Sequence, residues 1–324
     1  MRLASFSVQN RRTLGFVLED GTLAEIADAF EAAGLDRAGA PGDMLDLIEA
    51  GSELRPALDR AYEAAGSGKV RRISPADIEW LPPVRRPSKI IGVACNNKSI
   101  TEKASFCSDH PMFFTKPPSC LTGHEQPIVI QPHYGLTHPE AELAVVIGRR
   151  CKNLSLEEAM DAVFGYTIMN DVTSVTLKSG DTIVFPNPNP GAVPPPPGWE
   201  HGDKHLTYHA RSKGTDTFGP CGPWIVTKDE IADPNNLKVK VYMGDELCME
   251  DNTGNLNYSV QVVLRHLSRY LTLEPGDIVH LGTAAKGKYH FRDLNFQKWD
   301  GPCAIEIEGI GRLSNPIRRV PDYS

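Results

Sequence analysis

Apolar and polar residues alternate in short blocks along this chain, and the blocks change their period from one region to the next. Residues 89–94, 128–130 and 143–147 are short apolar runs of the kind that form buried strands. Residues 154–163 and 260–270 instead repeat apolar positions with a helical period, which predicts helices. Strand signals predominate after the first part of the chain, so the pattern predicts an α+β fold that is mainly β.

The pattern of residues 1–70 predicts a small N-terminal α/β domain. Two apolar stretches, 13–18 and 22–26, flank the turn signal EDG at 19–21, and this combination predicts a β-hairpin. Helical patterns follow, and each is closed by a glycine. No residue of this domain forms an obvious chemical motif, so we expect its role to be structural.

Prolines and basic residues mark residues 71–88 as a linker that leads into the main domain, residues 89–324. A second proline-rich stretch, residues 179–198, interrupts that domain. Because proline lacks a backbone donor and breaks helices, this stretch predicts a long loop with polyproline character. The loop is either one wall of a pocket or a surface excursion, and the sequence leaves both interpretations open.

Composition narrows the possible functions. The chain has 324 residues and a net charge of -7, which argues against a nucleic-acid-binding surface. It contains no apolar run of transmembrane length and no signal-peptide core, so we expect no membrane partner. The seven cysteines are scattered, without a Cys-x-x-Cys pair, as in a cytoplasmic protein with reduced thiols. Neither a dinucleotide-binding glycine loop nor a serine-hydrolase elbow is present.

The first candidate functional residues are Glu140 and Glu142, which are two residues apart at the head of the apolar run 143–147. Side chains two apart on a strand share a face, and two adjacent carboxylates repel unless a cation lies between them. Oxygen ligands on a rigid strand suit a hard cation such as Mg²⁺. Asp171 ends a second apolar run and is a third oxygen donor. On spacing alone, solvated charges on an exposed strand remain the alternative.

Six segments of the chain, taken in order, resemble the core signature of the fumarylacetoacetate hydrolase family. They are FFTKP at 113–117, EAELAVVIG at 140–148, GYT and NDVT within 165–173, KGTDTFGPCGPW at 213–224, LEPGDI at 273–278 and GIGRLSNP at 309–316. Each segment alone is weak evidence, but six in the same order make a specific resemblance.

The resemblance implies a fold and a cofactor. The fold is the mixed β-sheet roll of this family, here preceded by the small N-terminal domain. Chains with such rolls commonly pair, so we expect a homodimer. The resemblance also implies that Glu140, Glu142 and Asp171 hold one Mg²⁺ or Mn²⁺ ion.

The same resemblance assigns the residues that meet the substrate, a small oxo acid. Lys213 takes a catalytic role, because a lysine near a metal and a polar substrate stabilises a developing enolate. The substrate-binding residues implied by the family pattern are Asn97, Lys116, Gly282 and Thr283.

The chain departs from the family at the position of the water-activating pair. Ile100 and Lys103 stand where hydrolysing members have a histidine and a glutamate. Glu102 and His110 are the nearest residues able to replace that pair, and we take them as candidate catalytic residues. For His110, which precedes a proline, an ordinary loop position is the alternative.

The leading prediction for function is hydrolytic cleavage of a carbon–carbon bond in a β-dicarbonyl or acylpyruvate-type 2-oxo acid, through a metal-bound enolate. The missing histidine–glutamate pair favours an alternative without attacking water, which is decarboxylation or keto–enol isomerisation of a related dioxo acid. A non-catalytic metal-binding homologue is a third hypothesis. The complete set of Glu140, Glu142, Asp171 and Lys213 argues against it.

Overall fold

The computed structural model of this protein describes residues 1–104, 107–185 and 204–322. The N-terminal part contains the predicted hairpin, followed by helices. Its elements are β1 (Arg2–Val8), β2 (Arg11–Val17), β3 (Leu23–Glu25), α1 (Ile26–Ala32), α2 (Met44–Glu49), α3 (Gly51–Gly66) and β4 (Glu79–Trp80). Strands β2 and β3 pair antiparallel, which confirms the hairpin.

The main domain alternates strands with short helices. Its first elements are β5 (Ile90–Ala94), α4 (Lys98–Thr101), β6 (Met112–Lys116), β7 (Leu121–Thr122), β8 (Ile128–Ile130), β9 (Thr137–His138), β10 (Ala141–Ile147), α5 (Leu156–Ala159), β11 (Val163–Asn170), β12 (Thr173–Ser174) and α6 (Val175–Gly180). They are followed by β13 (Thr182–Phe185), β14 (Lys204–Thr207), α7 (Ala210–Gly214), β15 (Gly219–Thr227), β16 (Lys238–Met243), β17 (Glu246–Asn252), α8 (Val260–Tyr270), β18 (Ile278–His280), β19 (Pro302–Ile307) and β20 (Gly311–Arg319).

One large mixed sheet runs through both parts of the chain. Its strand order is β3-β2-β1-β15-β11-β10-β18-β5-β6, with β4 beside β1 and β7 beside β15. The N-terminal hairpin joins the main domain through antiparallel pairing of β1 with β15, where Arg2 lies opposite Val226. The division into domains at residues 70 and 88 remains a prediction, and the sheet is continuous across it.

A second sheet, in the order β17-β16-β19-β20-β8, packs on one face of the first. The core between the sheets contains Leu143 and Val145 of β10 together with Val241 of β16. The alternate residues of β10, Ala144 and Val146, pack into a different core with the N-terminal helices. Because β10 is buried on both faces, its sequence is a continuous apolar run rather than an alternating one.

The proline-rich stretch differs in part from the loop predicted for residues 179–198. Thr182–Phe185 forms β13, which pairs antiparallel with β14. The prolines begin only at Pro186, so none of them prevents this strand from forming. The remainder of the predicted loop, residues 186–198, lies outside the described residues. Within the described ranges, no helix combines the length and the apolar character that crossing a membrane requires.

Candidate metal centre

Three neighbouring strands of the large sheet bring their polar ends to the same edge. Strand β10 begins at Ala141, and the antiparallel β11 ends opposite it, with Ala141 facing Asn170. Glu140 and Asp171 therefore lie across from each other just beyond the paired residues, and the Asp171 N–H donates to the Glu140 carbonyl at 2.9 Å. Strand β18 also runs antiparallel to β10 and ends at this edge with His280.

Asp171 is a buried carboxylate held by two lysines. Lys116 Nζ donates to Oδ1 and Lys213 Nζ donates to Oδ2, each at 2.5 Å. Lys116 also donates to the Phe218 carbonyl at 2.8 Å. Burial acts to raise the pKa of Asp171, but the charges of Lys116 and Lys213 outweigh it and hold that pKa well below its usual range.

Lys213 connects Asp171 to Glu140. Besides Asp171, its ammonium donates to Glu140 Oε2 at 2.9 Å and to Thr173 Oγ1 at 2.7 Å. Burial acts to lower the pKa of Lys213, but Asp171 and Glu140 outweigh it and raise that pKa. The ammonium is therefore charged at neutral pH, and it lies 5.0 Å from the centre of the Phe114 ring. The structure thus brings Lys116, Lys213, Glu140 and Asp171 into one cluster.

Glu142 is buried on the same edge but forms no ion pair with a lysine among the described residues. Its Oε2 accepts a hydrogen bond from the Gly282 N–H at 2.6 Å and lies 2.7 Å from His280 Nδ1. Burial raises the pKa of Glu142, and the nearby imidazole only partly offsets this effect. Glu142 therefore has a raised pKa where Asp171, equally buried, has a lowered one.

His280 is the site residue that the sequence reasoning missed. Ligand atoms of Glu142, Asp171 and His280 all lie within 4.8 Å of one another. The sequence did contain a signal, because His280 is a polar residue at the end of an otherwise apolar strand next to the Gly282 loop. Its link to Glu142 spans 138 positions of sequence, so no local pattern joins the two.

The donor set fits a small divalent cation. Three carboxylates carry three negative charges, while Lys116 and Lys213 supply two positive ones. Carboxylate oxygens suit Mg²⁺ or Mn²⁺. Glu142 Oε1 accepts no hydrogen bond within the described part of the chain, and so it is available as a ligand. Assignment of Glu140, Glu142 and Asp171 as the ligands remains a prediction.

The predicted substrate-binding residues occupy different positions. Gly282 is in the site through its N–H, and its φ of +110° favours glycine. Asn97 is buried and donates to Asp251 Oδ2 at 3.1 Å and to the Thr283 carbonyl at 3.0 Å, so its side chain fastens this loop. The Thr283 hydroxyl donates to the Ala284 carbonyl at 2.9 Å. Substrate contact by any of these residues remains a prediction.

The candidate bases Glu102 and His110 lie on the surface. Glu102 is the exposed C-cap residue of α4. The His110 side chain is 56% exposed, pairs with Asp109 at 2.9 Å and stacks on His266. Among the described residues, no hydrogen bond or ion pair connects either of them to the carboxylate cluster. His110 does line a cavity of about 150 Å³ together with Cys95, at the end of β5.

Two further titratable residues, Lys178 and His209, lie near the cluster but belong to none of the sequence motifs. Burial and the charge of Lys213 lower the pKa of the half-buried Lys178, whose ammonium has no ion-pair partner among the described residues. His209 lies against the Phe114 ring, with 5.9 Å between ring centroids. Burial, together with the charges of Lys178 and Lys213, lowers its pKa, so this imidazole is neutral at neutral pH. Its Nδ1 is buried and has no hydrogen-bond partner among the residues that the structure describes.

Comparison with known proteins identifies relatives over nearly the whole chain. A family model described as "Fumarylacetoacetate (FAA) hydrolase C-terminal" matches residues 89–318. Oxaloacetate tautomerase YisK from Bacillus subtilis (strain 168) is 28% identical over 330 residues, which cover 98% of this chain and 100% of the relative.

Comparison with solved structures shows that the similarity includes the fold. Maleylpyruvate hydrolase from Sphingobium sp. SYK-6, in complex with manganese(II) and pyruvate, is 29% identical with a TM-score of 0.71, covering 98% of this chain and 99% of that one. The 5-carboxymethyl-2-hydroxymuconate delta-isomerase from Mycobacterium smegmatis is 25% identical with a TM-score of 0.68, covering 99% and 100%. The predicted α+β sheet roll is therefore confirmed, and this chain belongs to the fumarylacetoacetate hydrolase family of enzymes.

Proposed function

We propose that this protein catalyses keto–enol tautomerisation of a 2-oxo dicarboxylate of the oxaloacetate type, with Mg²⁺ or Mn²⁺ as its cofactor. The observation that carries the proposal concerns His209, the neutral imidazole beside the cluster. It has no carboxylate partner among the described residues. An unpaired imidazole suffices to move a proton at carbon, whereas activation of water usually relies on a base that a third group orients. The likeness to an oxaloacetate tautomerase over 98% of this chain points the same way.

Charge balance supports a dianionic substrate. Lys116, Lys178 and Lys213 together offset the three carboxylates of Glu140, Glu142 and Asp171. One divalent cation then adds two positive charges, which a dicarboxylate neutralises. Lys178 has no anion of its own within the described ranges, so we assign it to the substrate carboxylate remote from the oxo group.

Each residue near the cluster has a separate role in the proposed reaction. A bound Mg²⁺ or Mn²⁺ supplies Lewis-acid stabilisation of negative charge on the substrate oxygens. The Lys213 ammonium adds a second positive charge in a buried setting, where electrostatic stabilisation is strong. His209 accepts the proton from the substrate carbon next to the oxo group and returns it to the oxo oxygen, which gives the enol. The reverse transfer gives the keto form. Phe114, packed against His209 and lying below Lys213, limits access of water.

Hydrolytic carbon–carbon cleavage of an acylpyruvate-type substrate is the second candidate. The likeness to a maleylpyruvate hydrolase at a TM-score of 0.71 favours it. It requires a positioned base for water, for which Glu102 and His110 remain the sequence-based candidates. Decarboxylation would proceed through the same enolate. Its release of CO₂ distinguishes it from tautomerisation and from hydrolytic cleavage.

The test supplies the purified protein and Mn²⁺ with enol-oxaloacetate and, separately, with acylpyruvates. Loss of the enol absorbance, CO₂ and cleavage acids are measured together. We expect enol–keto interconversion without CO₂ or acid products. Formation of acid products that contain oxygen from labelled water, with no catalysed interconversion, would overturn the proposal in favour of hydrolysis.

Two variants assign the roles. His209→Asn removes the proton acceptor and should lower turnover by about 10²–10⁴-fold, with Mn²⁺ affinity unchanged. Lys178→Met should raise KM for oxaloacetate more than it lowers kcat, whereas Lys178→Arg, which keeps the charge, should restore KM. If His209→Asn retains wild-type turnover, the proton transfer belongs to another group.

A further inference from the structure

Two hydrogen-bond donors converge on one oxygen of Glu142. His280 Nδ1 lies 2.7 Å from Oε2, and the Gly282 N–H donates to the same atom at 2.6 Å. The other oxygen, Oε1, accepts no hydrogen bond within the part of the chain that the structure describes. The two oxygens of this carboxylate are therefore unequal before any ion binds, because one is fixed by donors and the other is free.

The His280 imidazole, which contacts Glu142 Oε2, is closely packed by its neighbours. His280 is 0% exposed, and it lies opposite Gly92 in the parallel pairing of β18 with β5. A Cβ atom at position 92 would lie 2.4 Å from His280 Cε1 and 2.6 Å from His280 Nε2. The Phe114 ring packs edge-to-face against the imidazole at 5.7 Å. Glycine at position 92 thus makes room for the ring, and its neighbours prevent it from turning away from Glu142.

The second ring nitrogen makes the arrangement unusual. His280 Nε2 is buried and has no hydrogen-bond partner within the described ranges. A buried polar atom without a partner is unfavourable, so an apolar residue at this position would make a more stable strand end. The arrangement favours a role for the opposite nitrogen, Nδ1, whose one polar contact in the described part of the chain is with Glu142.

We propose that His280 and Gly282 hold Glu142 as a ligand through one oxygen, and that this makes the site select Mg²⁺ and Mn²⁺ over Ca²⁺. The inference rests on the metal centre of the proposed function. Ca²⁺ accepts carboxylates through one or both oxygens in a flexible shell of 6–8 ligands, whereas Mg²⁺ requires a compact octahedral shell. With Oε2 held by two donors, Glu142 cannot turn to offer both oxygens. His280 is thus a positioning residue and not itself a ligand.

The test measures binding of Mn²⁺ by electron paramagnetic resonance, with Ca²⁺ as competitor and without substrate. His280→Leu keeps a buried apolar side chain of similar length but removes the donor. We expect its Mn²⁺ affinity to fall about 10–100-fold, as for other residues that orient metal ligands, and Ca²⁺ to compete better than in the wild type. His280→Asn places an amide N–H near the Nδ1 position, and it should recover most of the affinity and the preference for Mn²⁺.

Each outcome bears on a separate claim. A wild-type protein that binds no Mn²⁺ contradicts the metal centre of the proposed function. If the wild type binds but His280→Leu has the same affinity and the same preference over Ca²⁺, the positioning role is wrong and the metal centre stands. Nitrogen coupling to bound Mn²⁺ in pulsed spectra that disappears in His280→Asn would overturn the role by making His280 a ligand. If His280→Leu does not fold, Gly92→Ala decides, because it displaces the ring without altering it.

Discussion

The two sides of the carboxylate cluster differ in what compensates the burial of a carboxylate. Asp171 and Glu142 are both almost fully buried. Asp171 lies between two ammonium groups, and its pKa is lowered. Glu142 is held by the Gly282 N–H and the His280 imidazole at 2.6 and 2.7 Å, and its pKa is raised. The difference arises because two lysine ammonium groups outweigh the burial of Asp171, whereas the imidazole and one backbone N–H offset the burial of Glu142 only in part.

Because of this difference, one side of the site contributes to the stability of the fold and the other to metal binding. On the Asp171 side the charges are matched inside the protein, so that side contributes to the stability of the metal-free fold. On the Glu142 side the negative charge is under-compensated, and a bound cation is what completes it. Breaking either side should therefore give a distinct result, and the experiments below are ordered by the expected size of the effect.

Asp171→Asn should cause the largest loss of stability. The substitution leaves Lys116 and Lys213 buried without their shared anion, and breaking a buried ion pair in this way costs about 3–5 kcal/mol. Urea unfolding with a chelator present measures the change. Asp216→Asn, the same substitution at an exposed position three residues after Lys213, is the control and should have little effect. Equal stability of the two variants would contradict the role of Asp171 in the metal-free fold.

Glu142→Gln should have the opposite profile. The amide oxygen still accepts from His280 and Gly282 while the buried charge is lost, so the free energy of unfolding without metal should stay within about 1 kcal/mol of the wild type. Mn²⁺ binding and activity should both disappear, and Glu142→Ala should lose them as well with the fold retained. Titration with Mn²⁺ and urea unfolding test this pair. Full activity of a chelator-stripped wild type would refute the metal requirement.

Lys213→Met should separate catalysis from metal binding. Removing one ammonium makes the cluster more negative, so Mn²⁺ should bind at least as tightly as in the wild type. Turnover should fall about 10²–10³-fold, as when one electrostatic stabiliser of a developing anion is removed. Steady-state kinetics at saturating Mn²⁺ measure the loss. A variant with wild-type turnover would restrict Lys213 to a structural role.

The pH dependence of stability should differ between the two carboxylates. Because the folded pKa of Glu142 lies above its usual 4.5, the native state binds more protons between these values, and stability falls as pH rises through that window. The wild type should therefore lose stability relative to Glu142→Gln from pH 4.5 upward until the folded pKa is passed. Asp171, with a pKa below its usual 3.8, contributes stability that is complete above that value and lost only in stronger acid. Urea unfolding from pH 2 to 8 with a chelator present tests both directions.

Glu102→Gln and His110→Ala lie outside both sides of the cluster and give the smallest expected effect on tautomerisation. Neither side chain bonds to the cluster within the described residues, so turnover of enol-oxaloacetate should change little. The sequence-based hypothesis of hydrolysis expects instead a loss of at least about 10²-fold in cleavage of an acylpyruvate. Parallel kinetics with both substrates therefore decide whether these residues serve a reaction with water.

Much of the fold could be predicted because local patterns determine it. The helix predicted at residues 260–270 is α8 (Val260–Tyr270), since its apolar positions recur with a helical period. Residues 143–147 read as a buried strand, and β10 is buried on both faces. Residues 179–198 were predicted less well, because a composition rich in proline conceals the short proline-free strand β13.

For the site, the sequence by itself determined which carboxylates share an edge. Glu140 and Glu142 are two residues apart at the head of a predicted strand, and the motifs joined them to Asp171 and Lys213. Only the tertiary structure decided what holds each carboxylate. His280 reaches Glu142 because β18 pairs with β10, and Lys116, the last residue of β6, contacts Asp171 over a separation of 55 positions in sequence. Such contacts depend on strand pairing between segments far apart in sequence, which is set by packing of the whole sheet rather than by any local pattern.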